Sequence, residues 1–191
     1  VEAVNVSAIM VTAVTAPDVL RQVGSLNELV GRERIRAVPA VDGPVREGVQ
    51  AIVMGDSVAA GLGGPPRPDA TRDDEACQRS TFAFATTLAR VNEWHIENLG
   101  CSGATIAEGI LGPQLVGGDR IEPQLAVAKR AVGAEVVIVN VGANDMRWST
   151  LVFLCGAAEA CDDRALTAYF QRSLDGFTRD YYELLRQLAA A

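Results

Sequence analysis

Three short segments of the sequence carry residues that could do chemistry. The first reads Gly55-Asp56-Ser57 and follows an apolar run over residues 49–54. A serine at the end of a strand is well placed to expose a nucleophile, and a helix beginning there would aim backbone N–H groups at developing negative charge. Taken alone, Gly-Asp-Ser is more often a turn than a catalytic site.

Two later segments offer the hydrogen-bond donors that such a nucleophile needs. The second, residues 98–105, contains Gly103, and a glycine after a strand lets a backbone N–H approach a substrate oxygen. The third, Gly142-Ala143-Asn144-Asp145, supplies an asparagine amide that could complete an oxyanion hole. Each segment alone is ambiguous, because Ser-Gly is usually a tight turn and Asn-Asp a helix cap. Their joint occurrence after three successive predicted strands indicates one common site.

Alternating strands and helices would position these segments. Three segments predict strands: residues 49–54, a short apolar run that suits a buried strand, then residues 93–99, and residues 135–141, with the Val/Ile content of a strand covered on both faces. Three stretches predict helices: from Ser80, as the N-cap, to about Val91, then residues 123–132, and residues 162–190 with an interruption at Gly176. Strands separated by helices imply parallel βαβ units and an α/β sandwich, in which ligands bind outside the carboxyl ends of the strands.

Together the three segments resemble the sequence blocks of the SGNH, or GDSL, hydrolase family of esterases and lipases, over roughly residues 49–175. The resemblance implies a flavodoxin-like three-layer α/β/α sandwich with a mainly parallel sheet, incomplete at the C-terminus. It also implies that Ser57 is the nucleophile and forms an acyl-enzyme, and that its N–H, the Gly103 N–H and the Asn144 side chain form the oxyanion hole. Supporting positions in the same blocks are Asp56, Gly142 and Asp145.

The general base has no counterpart in this sequence. The family's last block, an Asp-x-x-His, is missing, and His95 is the only histidine. His95 lies on the predicted second strand, five residues before Gly100, and therefore ~16 Å from the active edge at ~3.3 Å per residue. We expect a partly buried strand residue that does not reach Ser57. The sequence stops on a predicted helix where a family member continues, so truncation is the simplest account, with the base encoded beyond Ala191.

Four cysteines allow three disulfide connectivities in an oxidising compartment: Cys77, Cys101, Cys155 and Cys161. The resemblance to disulfide-bearing secreted bacterial lipases implies that Cys77 pairs with Cys101 and Cys155 with Cys161, and that the protein is extracytoplasmic. Four free thiols in a cytosolic protein are the alternative. Since there is no CxxC pair and only one histidine, we expect neither a metal nor another cofactor.

Composition narrows the class of partner. Acidic residues outnumber basic ones by 24 to 17, and the resulting formal charge of -7 would repel a nucleic-acid backbone. No integral membrane segment is predicted, because the longest early stretch without a charge is shorter than the roughly 20 apolar residues of a bilayer span. The expected partner is a small-molecule ester or lipid, and the oligomeric state stays open. The acidic stretch over residues 61–77 is expected to be an exposed, solvated loop rather than a calcium site.

The sequence predicts two regions, an appended segment of unknown role over residues 1–48 and the hydrolase domain over residues 49–191. The predicted function is ester hydrolysis through Ser57. An acetylated carbohydrate is the alternative substrate, and a non-catalytic binding domain that has lost its base is the alternative outside enzymes. There is no Gly-x-Ser-x-Gly nucleophile turn, because residue 59 is alanine, and no phosphate-binding Gly-x-x-x-x-Gly-Lys-Ser/Thr loop. An Asp-x-x-His downstream of Ala191 would separate truncation from loss of the base.

Overall fold

A computed structural model describes residues 43–157, 161 and 164–190. Most of the predicted appended segment, residues 1–42, lies outside the described residues. The elements are, in chain order, β1 (Ala51–Gly55), α1 (Ser57–Ala60), α2 (Arg72–Ala76), α3 (Phe84–Asn92), β2 (Ile96–Asn98), β3 (Gln114–Val116), β4 (Asp119–Ile121), α4 (Gln124–Ala128), β5 (Val136–Asn140), α5 (Trp148–Ala157) and α6 (Arg164–Ala189).

The three predicted strands form one parallel sheet, with β1 between β2 and β5. Every residue of β1 is buried, as expected for an apolar central strand without alternation. The order second, first, third along the chain is the beginning of a flavodoxin-like strand order. The predicted α/β fold is therefore confirmed. Strands β3 and β4 form a separate antiparallel hairpin.

Helices cover both faces of the sheet. On one face, Ile52 and Met54 of β1 belong to a core cluster with Leu125 of α4 and Leu184 of α6. On the other face, Val53 packs in a cluster with Ala85 at the start of α3. Because side chains alternate along a strand, neighbouring residues of β1 anchor opposite layers. This alternation produces the three-layer sandwich.

The prediction that Ser80 caps the third helix is wrong. Helix α3 begins at Phe84, and its N-cap, Ala83, makes no side-chain capping bond. Ser80 is buried, and its hydroxyl donates to the Gly61 carbonyl and accepts the Phe82 N–H. The hydroxyl is therefore used to close a loop against the C-terminal end of α1, a tertiary contact that local capping rules do not reveal.

The acidic stretch is more ordered than predicted. It contains α2, which a reciprocal capping box between Thr71 and Asp74 starts. Asp74 also pairs with Arg79, and Asp69 pairs with Arg67. The carboxylates thus serve as helix caps and ion-pair partners. Within the described ranges, no group of side chains could hold a metal ion.

One further expectation fails, at the last helix. Helix α6 runs without interruption through Gly176, because Phe177, Tyr181 and Leu184 pack against the sheet and outweigh the roughly 1 kcal/mol cost of a helical glycine. Strand β5 is covered on both faces, as predicted, because Val137 and Val139 pack against one core cluster and Ile138 against the other. It is only half-buried, since in the described residues it pairs only with β1. None of the helices in the described ranges is long and apolar enough to cross a membrane.

Candidate active site

The first loop places Ser57 as the first residue of α1. Asp56 is the N-cap, and its carboxylate accepts the Val58 N–H at 2.9 Å. The first N–H groups of a helix have no intrahelical acceptor, so the half-buried Ser57 offers both its hydroxyl and its N–H at this point. Gly55 is required just before it, because a Cβ there would collide with the Asn140 carbonyl and lie 2.8 Å from the Cβ of Ala59.

Asp56 is only 2% exposed. Burial raises the pKa of its carboxyl above the ordinary value, and the hydrogen bond from the Val58 N–H acts in the opposite direction without cancelling the effect. The hydrogen bond from the Val58 N–H therefore fixes the carboxylate at the start of α1.

The second loop follows β2 and is held by its own side chains and by Arg79. Asn98 accepts the Gly100 N–H at 3.0 Å and donates to the Ala59 carbonyl at 2.9 Å, which ties this loop to α1. The guanidinium of Arg79 donates to the Gly100 carbonyl at 2.8 Å. Gly103 adopts a φ of 82°, a conformation that favours glycine.

The third loop reaches back to the second. The Asn144 amide donates to the Ala104 carbonyl at 2.9 Å, and Asp145 accepts the Ile106 N–H at 2.8 Å. An amide group carries two N–H donors, so Asn144 keeps one for another acceptor. Gly142 has a φ of 125° and lies beside the Phe177 ring.

Asp145 is the second carboxylate of the site with a perturbed pKa. Burial raises the pKa, the bond from the Ile106 N–H opposes the rise, and the charges of Asp180 and Asp56 reinforce it. Its other oxygen, Oδ2, is buried and has no partner among the described residues. Asp145 thus connects the third loop to the residues that follow the second loop.

Backbone hydrogen bonds join the three loops at the carboxyl edge of the sheet. The Cys101 N–H donates to the Gly55 carbonyl at 3.0 Å, and the Asp56 N–H donates to the Asn140 carbonyl at 3.1 Å. The structure therefore brings together the loops that carry Ser57, Gly103 and Asn144.

Both disulfides implied by the resemblance are present. Cys77 is joined to Cys101, with both residues fully buried beside the second loop. Cys155 is joined to Cys161, a separation of only 6 residues, at the C-terminal end of α5. The first bridge acts directly on the loop that contains Gly103, whereas the second closes a local turn.

His95 is not brought to this edge. It is exposed and precedes β2, so the expectation of a partly buried strand residue is wrong. Its backbone pairs with Gln50, whose N–H donates to the His95 carbonyl and whose side chain accepts the His95 N–H. Gln50 lies five residues before Gly55, which places His95 ~16 Å away at the opposite edge.

Sequence reasoning missed two residues that hold these loops, Gln124 and Arg79. Gln124 is 2% exposed and its side chain bonds both backbone groups of Gly55. The available signal was a glutamine next to the apolar residues of α4, which suggests a polar group buried with a partner. No comparable signal in the sequence marks Arg79.

A pocket of about 400 Å³ opens between the third loop and α6. Asn144 and Asp145 form one wall, and polar or charged side chains of α6 form most of the other. Ser57 is not among the residues that line it. The pocket therefore adjoins the third loop rather than the serine itself.

A parallel sheet between two helical layers, with its functional loops at the carboxyl ends of the strands, defines a doubly wound α/β protein. The chain belongs to the GDSL-like lipase/acylhydrolase family, whose family model matches residues 53–191. Membership is consistent with ester hydrolysis.

Among solved structures, the chain is similar to an extracellular lipase from Streptomyces rimosus, with a TM-score of 0.50 and 20% sequence identity. The match covers 76% of this chain and 53% of the lipase, so this chain spans about half of the lipase's length. At this identity the likeness shows the fold. No curated protein sequence matches the chain.

Proposed function

We propose that this chain is the nucleophile-bearing part of a carboxylic ester hydrolase that works through an acyl-enzyme on Ser57. The observation that carries the proposal is the meeting of three loops at one sheet edge, with Ser57 at the start of α1. A helix N-terminus, a glycine N–H and an asparagine amide are the donors that an oxyanion hole needs. Family membership supports the same reaction class.

In the proposed mechanism, the Ser57 hydroxyl attacks the ester carbonyl carbon while a general base takes its proton. The negative oxygen of the tetrahedral intermediate accepts hydrogen bonds from the Ser57 N–H, the Gly103 N–H and the free Asn144 N–H. Collapse of the intermediate expels the protonated alcohol and leaves the acyl group on Ser57. Water, deprotonated by the same base, then attacks the acyl carbonyl and releases the acid.

Among the described residues, none is assigned as the general base. His95, the only histidine, lies at the opposite edge of the sheet. The carboxylates of Asp56 and Asp145 are bonded to backbone N–H groups of their own loops. The resemblance implies an Asp-x-x-His in this role, and the chain spans about half of a similar lipase.

Two observations bear on the substrate. Val58 in α1, Leu62 just after it and Phe82 just before α3 are exposed apolar side chains. They favour a lipid or simple ester whose acyl group is apolar. The polar pocket beside Asn144 favours the alternative, an acetylated carbohydrate whose hydroxyl groups would bind there. The two disulfides support an extracytoplasmic location.

The test measures hydrolysis of 4-nitrophenyl acetate by residues 1–191 with and without added imidazole, which serves as an external general base. Because free imidazole also attacks this activated ester directly, each rate is taken after subtraction of the rate in the same buffer without protein. Without imidazole we expect slow turnover, close to that of Ser57→Ala. With imidazole we expect the intact chain to exceed Ser57→Ala by about 10²-fold or more, the typical contribution of a general base. His95→Ala is the matched control and is expected to behave as the intact chain.

Equal rates for the intact chain and Ser57→Ala with imidazole would overturn the assignment of Ser57 and favour the binding-domain alternative. Full activity without imidazole that disappears in His95→Ala would make His95 the base. Comparing acetylated carbohydrates with short-chain lipid esters under the rescued conditions decides the substrate class.

A further inference from the structure

Gln124 forms a two-bond ring with the peptide groups of Gly55. The Gly55 N–H donates to Oε1 of Gln124 at 2.8 Å, and Nε2 of Gln124 donates to the Gly55 carbonyl at 2.9 Å. The pairing is reciprocal, like the exchange of two bonds between neighbouring strands. The glutamine is almost fully buried, and its own N–H donates to the Gly109 carbonyl.

The ring restrains Gly55, the residue before Asp56 and Ser57 in the first loop, whose backbone has great conformational freedom. Gly55 must be glycine, because a Cβ would collide with the Asn140 carbonyl, and its φ is 152°. Glycine explores more backbone conformations than any other residue, and it has no side chain through which the core could fix it. Two hydrogen bonds to its peptide groups supply the missing restraint, two residues before Ser57.

The same ring also couples the first loop to the second. The Gly55 carbonyl accepts from Gln124 and from the Cys101 N–H, which lies two residues before Gly103. A shift of Gly55 would therefore change the position of Ser57 and of the loop that carries Gly103.

We propose that Gln124 is a positioning residue, which fixes the direction in which β1 delivers the hydroxyl and N–H of Ser57 to the other two loops. The inference rests on the proposed function of Ser57 and deepens it. Gln124 does not touch the reacting atoms and acts only through Gly55. Its removal is expected to lower reactivity rather than substrate binding, because misplacement of a reacting group by about 1 Å costs up to ~10²-fold in rate.

Three variants test the inference. Gln124→Met keeps the size of the side chain and removes both bonds. Gln124→Glu is nearly isosteric, and its neutral carboxyl can accept from the Gly55 N–H and donate to the Gly55 carbonyl, whereas the ionised carboxylate cannot donate. Gln50→Met is the matched control, because it removes a side-chain bond to the backbone of the neighbouring chain segment at the opposite edge of the same sheet.

The first readout is imidazole-rescued, Ser57-dependent turnover, taken as the excess over Ser57→Ala and corrected for the folded fraction. For Gln124→Met we expect kcat to fall about 10- to 100-fold at nearly constant KM. Gln124→Glu should approach wild-type kcat at acidic pH and lose it as the pH rises, because burial raises the pKa of a glutamic acid and its charged form loses one bond. Each variant is compared with the wild type at the same pH and the same concentration of neutral imidazole, which corrects for titration of imidazole and of the neighbouring Asp56. Gln50→Met should keep wild-type kcat.

The second readout, amide hydrogen exchange at Gly55 and Ser57, does not depend on catalysis. Gln124→Met should lose protection at Gly55 while β1 residues such as Val53 keep theirs, and Gln124→Glu should regain protection at acidic pH. If the intact chain shows no turnover above Ser57→Ala, the proposed function fails, and the exchange data alone decide whether Gln124 restrains the loop. If turnover is present and Gln124→Met keeps wild-type kcat, or if Gly55 protection is unchanged, the positioning role is overturned.

Discussion

The two edges of the parallel sheet differ in how polar side chains are used. At the carboxyl edge, buried or half-buried side chains bond to loop backbone: Asp56, Arg79, Asn98, Gln124, Asn144 and Asp145. At the amino edge, Gln50 makes such a bond to His95, and Arg46 pairs with Glu97 across the sheet. Both edges end the same three strands, so the strands themselves do not explain the difference.

The proposed function gives a reason for the difference. In the proposed mechanism the N–H groups of Ser57 and Gly103 stabilise a developing charge, and they can do so only if they point in fixed directions before the reaction begins. A loop without side-chain restraints would have to be ordered during each turnover, at a cost in conformational entropy. The restraints at the carboxyl edge therefore mark the edge where the backbone must be rigid.

Among substitutions at the carboxyl edge, Asn144→Ala is expected to have the largest effect. Under imidazole rescue, we expect kcat to fall by about 10²–10³, or roughly 3–4 kcal/mol of transition-state stabilisation, with little change in KM. Steady-state kinetics on 4-nitrophenyl acetate measures both constants, with His95→Ala at the other edge as the control. An unchanged kcat would limit Asn144 to its bond with the Ala104 carbonyl.

The next largest effects, on the free energy of unfolding, are expected from removal of the disulfides. Cys77 and Cys101 are separated by 24 residues and Cys155 and Cys161 by 6. The loop-entropy model gives about 3.5 kcal/mol for the first bridge and about 2.4 kcal/mol for the second. Urea denaturation of the two double serine variants tests this order, and the reverse order would contradict a special role of the first bridge at the carboxyl edge. Non-reducing peptide mapping checks both pairings.

Asp74 pairs with Arg79, which holds the second loop. The contribution of Asp74 to the free energy of unfolding should depend on pH. Burial alone would raise the pKa of Asp74, but bonds from the Thr71 N–H and hydroxyl and from Arg79 lower it below the ordinary value. A lowered pKa contributes stability above the unfolded value near pH ~4, and this contribution disappears as the pH falls through the folded pKa.

Asp74→Ala should therefore reduce the free energy of unfolding by about 2 kcal/mol at pH 7 and by progressively less below pH ~4. Denaturation at several pH values measures the difference. Asp73→Ala, an exposed position in the same helix, is the control and should have little effect. A difference that stays constant with pH would assign the loss to packing rather than to charge.

The smallest effect is expected at Asp56. Asp56→Ala should destabilise the fold by about 1 kcal/mol through loss of the N-cap, whereas Asp56→Asn keeps the acceptor for the Val58 N–H and should be nearly neutral at pH 7. Because burial raises the pKa of Asp56, the wild type should gain stability relative to Asp56→Asn as the pH falls through that raised pKa. Equal stability of the alanine and asparagine variants would remove the capping role.

The sequence by itself determined the three strands of the parallel sheet and the loops that follow them, but not the β3–β4 hairpin. A continuous apolar run predicts a central strand, and Gly-Asp-Ser, Ser-Gly-Ala and Gly-Ala-Asn-Asp mark chain turns, because these signals depend on residues close together in the chain. Parallel βαβ geometry then brings the carboxyl ends of the strands to one edge. The candidate residues Ser57, Gly103 and Asn144 followed from these local rules and from the family resemblance.

Only the tertiary structure decided which polar side chains hold that edge in place. Ser80 closes a loop instead of capping a helix, and Gln124 bonds a residue 69 positions away. Gly176 stays helical because α6 packs on the sheet, and His95 is exposed at the amino edge because its backbone pairs with Gln50. In each case a contact between residues distant in the chain outweighs a local preference of about 1 kcal/mol or less, and no local pattern contains the identity of that partner.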